Sequence, residues 1–151
     1  MGRRSVPDPV PLRTRAYGLP LHPIVLGLPF VCFLAAMVTD IAYVRTYDIA
    51  WKNFSDWLLA GGMVLGALGA IVGLVDLARP AVRANRLLTP YAIAYAVAMV
   101  LALINNFIHS RDAYGAMPTG LILSVLTVLV LTGAAGLGAI LLRQSRFGGL
   151  R

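Results

Sequence analysis

Four long apolar blocks, separated by short polar stretches, set the pattern of this chain: Ile24–Val44, Asp56–Leu77, Thr89–Ile108 and Thr119–Leu142. A bilayer hydrocarbon core of roughly 30 Å needs about 20 apolar residues in a helix, and each block meets that length. The blocks carry helix-start signals. Pro23 suits the first turn of the first span, and Thr89-Pro90 reads as a cap followed by a first-turn proline. Asp56 is placed in the first turn of the second span, where a carboxylate suits the positive end of the helix dipole. Connections of about ten residues make successive helices antiparallel neighbours. The expected fold is therefore all-α: an integral-membrane four-helix bundle running up-down-up-down. Residues 1–20 form an Arg- and Pro-rich tail, 21–142 the membrane domain, and 143–151 a basic tail.

Composition agrees with this. Of 151 residues, 59% are hydrophobic and 13% charged, and mean hydropathy is +0.80. A soluble domain carries roughly 25% charged residues, so a free-standing soluble enzyme and a disordered tail are both excluded. The net charge of +7 comes from one Lys and twelve Arg against six Asp. It is scattered between apolar blocks instead of forming the basic face of a nucleic-acid binder. Its distribution orients the bundle. The N-terminal tail, the second connection and the C-terminal tail hold ten Lys and Arg, whereas the first and third connections hold Arg45, Lys52 and Arg111. Ten against three puts both termini in the cytosol. The first twenty residues lack the apolar run of a secretory signal and read as an uncleaved cytosolic arm.

Within the spans, small residues permit close helix contact. Gly62, Gly66 and Ala70 recur every fourth residue in span two, with Gly69 and Gly73 beside them, and span four has Gly133, Ala134, Ala135, Gly136 and Gly138. Pro29 lies inside span one and is expected to kink it by removing a helical hydrogen bond. Tyr43, Tyr47, Trp51, Phe54 and Trp57 flank the first connection as an interfacial aromatic belt.

Ionisable groups at membrane depth are costly and are functional candidates by default. They sort into two layers: His22, Asp76 and Arg79 on the cytosolic side, and Asp40, Asp56, Asn105, Asn106 and His109 on the outer side. Asp40 and Asp76 fall near the C-terminal ends of their helices, where the dipole disfavours a carboxylate by roughly 0.3–1 kcal/mol. Each therefore calls for a partner: His22 or Arg79 for Asp76, and Arg45 or the His109 region for Asp40. Such pairs either fix bundle register or form half of a proton relay or cofactor anchor. Ser55, Ser110 and Ser124 show no triad spacing, and no helix face carries two His. His22 and His109 stand on the order of 30 Å apart and cannot clamp one iron, which leaves only His–Met ligation for a haem. Cys32 stands alone and reads as a small apolar side chain.

The stretch Leu21-His22-Pro23, Leu28-Pro29 and Asp40, followed by Gly73-Leu74-Val75-Asp76, resembles a family of small bacterial membrane proteins known as domain of unknown function 2231. The resemblance covers roughly residues 19–142. It implies a four-helix membrane protein with His22, Pro23, Pro29, Asp40 and Asp76 as the matching positions. It also implies a place beside electron-transfer proteins of the cytochrome, Rieske or sugar-dehydrogenase kind. This chain departs where members often carry further His: it reads Leu26-Gly27-Leu28 and Thr89-Pro90-Tyr91 there.

Three functions remain. The leading expectation is a non-catalytic anchor or accessory subunit of a membrane complex, embedded in lipid, with a protein partner or further copies of itself, and without nucleic acid or cofactor. The alternatives are a redox subunit holding haem b or a quinone near His22 and Asp76, and a small transporter or proton-conducting module using Asp40, Asp56 and Asp76.

Overall fold

The computed structural model describes residues 21–77 and 85–147, less the side chains of 21–26, 76–77, 113–114, 142 and 144–147. Its helices are α1 (Leu21–Thr46), α2 (Ile49–Leu77), α3 (Leu88–His109), the short α4 (Ala113–Ala116) and α5 (Thr119–Phe147). No strand occurs among the described residues. The four long helices contain apolar spans of 20, 27, 22 and 23 residues, each enough to cross a bilayer.

Helix α2 starts at Ile49, ahead of Asp56, so the expected first connection shrinks to Tyr47 and Asp48. Tyr47 takes the left-handed conformation at φ 56°, and its N–H donates to Tyr43 O at 2.7 Å. Asp48 then caps α2, its Oδ1 accepting the Ala50 N–H at 2.9 Å. Lys52, expected in this connection, is instead a buried residue of a membrane helix. At the other end of the bundle α3 begins at Leu88 with no side-chain cap. Thr89 and Pro90 lie inside its first turn, where proline's missing N–H costs nothing.

The long helices close a ring in which α1 packs on α2, α2 on α3, α3 on α5 and α5 on α1, with the α1–α2 and α3–α5 contacts the most extensive. The seam of each helix steps alternately by three and four residues. Buried positions are Pro29, Phe33, Ala36, Asp40 and Tyr43 in α1, and Lys52, Ser55, Leu59, Gly62, Gly66 and Gly69 in α2. In α3 they are Ala98, Ala102, Asn105 and His109, and in α5 Gly120, Ser124, Thr127, Leu131 and Ala134, with Val128 buried beside Thr127. This 3.5-residue period is that of a left-handed bundle.

The same period explains which glycines pack. A Cβ on Gly62 would come within 2.7 Å of the Phe33 ring, and one on Gly66 within 2.5 Å of Met99. A strict four-residue repeat drifts off a 3.5-residue seam, so Ala70 faces outward and Gly69 takes its place inside. A Cβ on Gly73 would meet nothing within 4 Å. Among the described residues, neither Ala70 nor Gly73 belongs to the buried seam within the chain. Pro29 is fully buried within an unbroken α1.

Outside the seam the surface is apolar: Val31, Val64, Phe107 and Leu129 are each more than 60% exposed. Such a belt is stable against lipid and not against water.

Candidate functional site

The seam divides by chemistry along its length. Its middle is apolar, built from Phe33, Ala36, Leu59, Ala98, Ala102, Val128 and Leu131. Towards the end that carries the α1–α2 turn, every long helix contributes a polar side chain: Asp40 from α1, Ser55 from α2, Asn105 and His109 from α3, and Ser124 from α5. All five are at most 2% exposed. Asp40 lies six residues before the end of α1, which at 1.5 Å per residue sets this layer roughly 9 Å below the turn.

Asp40 is the hub. Its Oδ1 accepts from Ser55 Oγ at 2.5 Å and stands 2.9 Å from His109 Nε2. Its Oδ2 accepts from Ser124 Oγ at 2.5 Å. Ser124 Oγ in turn accepts from Asn105 Nδ2 at 2.8 Å. His109 Nδ1 is 3.0 Å from Asn105 Oδ1 and 3.1 Å from the Asn105 carbonyl. The imidazole lies against Gly120, where a Cβ would come within 2.5 Å of Cε1. Glycine here is what lets α5 approach the ring.

A second pair covers the layer. Lys52 Nζ donates to Asp56 Oδ2 at 2.7 Å and to the His109 carbonyl at 2.7 Å. It thereby satisfies a C-terminal carbonyl of α3 and favours the negative end of that dipole. Asp56 is the more exposed partner, with 34% of its side chain accessible.

Of the outer residues expected from sequence, Asp40, Asn105 and His109 meet directly, and Asp56 reaches them through Lys52. His109, not Arg45, is the partner of Asp40. Asn106 stays apart, its Nδ2 donating to Ala102 O in its own helix at 2.9 Å. On the other side, His22 sits at the start of α1 and Asp76 at the end of α2, but their side chains lie outside the described residues, as does Arg79 altogether.

Sequence reasoning missed Ser55, Ser124, Lys52 and Gly120 as members. The signal available was position: each falls on the three–four seam of its helix.

Ser55, His109 and Asp40 stand close together, yet they do not make a hydrolytic triad. A triad holds the carboxylate on one imidazole nitrogen and the hydroxyl on the other. Here Asp40 and Ser55 both address Nε2, at 2.9 and 3.3 Å, while Asn105 holds Nδ1. Ser55 points its proton at the carboxylate and has no exposed surface. Among the described residues no group of three or more His, Cys, Asp or Glu side chains stands ready for a metal ion. Both ring nitrogens of His109 stand within hydrogen-bond distance of protein groups, Nε2 of Asp40 and Ser55 and Nδ1 of Asn105.

No curated protein and no solved structure matches the chain. The family model Predicted membrane protein (DUF2231) matches residues 18–148, a range that takes in all four long helices and the whole polar layer, and the chain belongs to that family.

Proposed function

We propose that this multi-pass membrane protein is a non-catalytic anchor or accessory subunit of a complex in a bacterial inner membrane, with both termini in the cytosol. One observation carries the reading: the polar side chains of the buried layer direct their hydrogen bonds at one another across four helices. Asp40, Ser55, Asn105, His109 and Ser124 each have at least one partner within the layer itself. Such a layer clamps helix register. Its position near one end also argues against conduction along the bundle axis. Beyond it, among the described residues, Thr127 donates to its own helix at Leu123 O and the buried core is apolar.

The orientation rests on the distribution of cations: among the described residues Arg45, Lys52 and Arg111 lie at the turn end, the three that the count places outside.

Purification of the native protein from its membrane in mild detergent, with mass analysis of what accompanies it, tests the proposal. A stoichiometric protein partner is expected, and a lone polypeptide would contradict it. A visible spectrum of the same sample separates the redox alternative, since a haem band would favour it. Proton flux in liposomes that falls on Asp40→Asn substitution would favour a transporter.

A further inference from the structure

Counting donors assigns the protons of the polar layer. Ser124 has one hydroxyl proton, directed at Asp40 Oδ2. The Asn105 atom 2.8 Å from Ser124 Oγ must therefore be the amide nitrogen, which turns Oδ1 towards His109 Nδ1. Nδ1 faces two acceptors, the side-chain and backbone oxygens of Asn105, and so carries a proton. Ser55 has one proton as well, and of its two oxygen acceptors Asp40 Oδ1 at 2.5 Å takes it ahead of the Ala36 carbonyl at 3.4 Å. No neighbouring donor is left for the 2.9 Å contact between His109 Nε2 and that same oxygen. Without a proton on this axis, two lone pairs would oppose each other inside a fully buried layer.

We propose that Asp40 and His109 form a binding site for one proton. It is held on His109 Nε2 and donated to Asp40 Oδ1, so that an imidazolium faces a carboxylate and α1 is joined to α3. Charge balance is an independent argument that the proton is bound. The charged groups facing the pair are Lys52 and Asp56 from α2, which neutralise each other at 2.7 Å. Among its described residues facing the pair, α5 brings only Gly120 and Ser124. With the proton bound, the layer is neutral; without it, one uncompensated negative charge would lie at membrane depth, an expensive arrangement. The proton comes from water at the Lys52–Asp56 rim and returns there, and no other bond changes. The site is separate from the anchor reading and stands if that reading fails.

Nitrogen NMR of the full chain in lipid nanodiscs at neutral pH tests this, with ¹⁵N-labelled histidine and a His22→Gln substitution that leaves His109 as the single signal. Both ring nitrogens should show attached protons. Asn at position 40 offers its own N–H to Nε2, so Asp40→Asn should yield a neutral ring that keeps the Nδ1 proton alone. A bare Nε2 in the chain with Asp40 intact overturns the proposal, and so does a doubly protonated ring in Asp40→Asn. If Asp40→Asn does not fold, the ring with Asp40 intact decides the question by itself.

Discussion

Substituting glycine by alanine at three places in the bundle separates packing from propensity, because the chemical change is the same each time. At Gly120 the added Cβ would come within 2.5, 3.1 and 3.3 Å of His109 ring atoms. That ring cannot swing aside without losing Asp40 on one nitrogen and Asn105 on the other. Interhelical hydrogen bonds in membranes average about 0.6 kcal/mol and reach about 1.7, and overpacking adds about 1–3 kcal/mol. Gly120→Ala should therefore destabilise by about 2–4 kcal/mol, a shift of roughly 30-fold or more in the folding equilibrium. At Gly66 the clash is with the terminal Cε and Sδ of Met99, a flexible side chain that can turn away, so the cost should stay within about 1 kcal/mol. At Gly133 a Cβ meets nothing within 4 Å. That substitution should be neutral or stabilise by about 0.5–1 kcal/mol through helix propensity. Unfolding of the full chain in mixed micelles over an SDS gradient, followed by circular dichroism, gives the three values on one scale. If Gly120→Ala unfolds with Gly133→Ala, the ring is not held as described and the reasoning fails.

The same assay checks the remaining predictions. Asp40→Ala strands two hydroxyls and the imidazole and should cost about 3 kcal/mol, whereas Asp40→Asn, which keeps shape and hydrogen bonding, should cost less than half as much. Lys52→Met leaves Asp56 and the His109 carbonyl without their shared cation and should cost about 1–2 kcal/mol; adding Asp56→Leu should recover most of it in a double-mutant cycle. At Tyr47, φ 56° suits Asn better than a β-branched side chain. Tyr47→Asn should leave stability level or raised, and Tyr47→Ile should lower it by about 1 kcal/mol.

The spans were legible because length and hydropathy over 20 residues are strong signals, and the family resemblance rests on the same stretches. The α2 boundary was not. Trp51 to Asp56 contains Lys, Asn, Ser and Asp and reads as a loop, yet Lys52 and Asp56 lie one turn apart and cancel each other's charge inside the helix. The tight turn was hidden because its left-handed residue is Tyr47, not the glycine or asparagine that would announce one.

Asp40, Asn105 and His109 stood out as polar groups in apolar sequence. Ser55 and Ser124 did not, since a hydroxyl in a membrane helix commonly donates to its own backbone, as Thr127 and Thr132 do here. What distinguishes the two serines is a neighbouring helix that brings a carboxylate, and that is a property of the assembled bundle.

Whether the layer is sealed within protein can be read from thiol reactivity. In a Cys32→Ala background reconstituted in nanodiscs, Ser124→Cys and Tyr47→Cys are each exposed to a membrane-impermeant maleimide. Tyr47 is 72% exposed at the turn and Ser124 is 1% exposed. Fast labelling at 47 with none at 124 is the predicted result. Comparable rates at both positions would mean that water fills the space around Asp40, and the closed clamp would have to give way to an open vestibule.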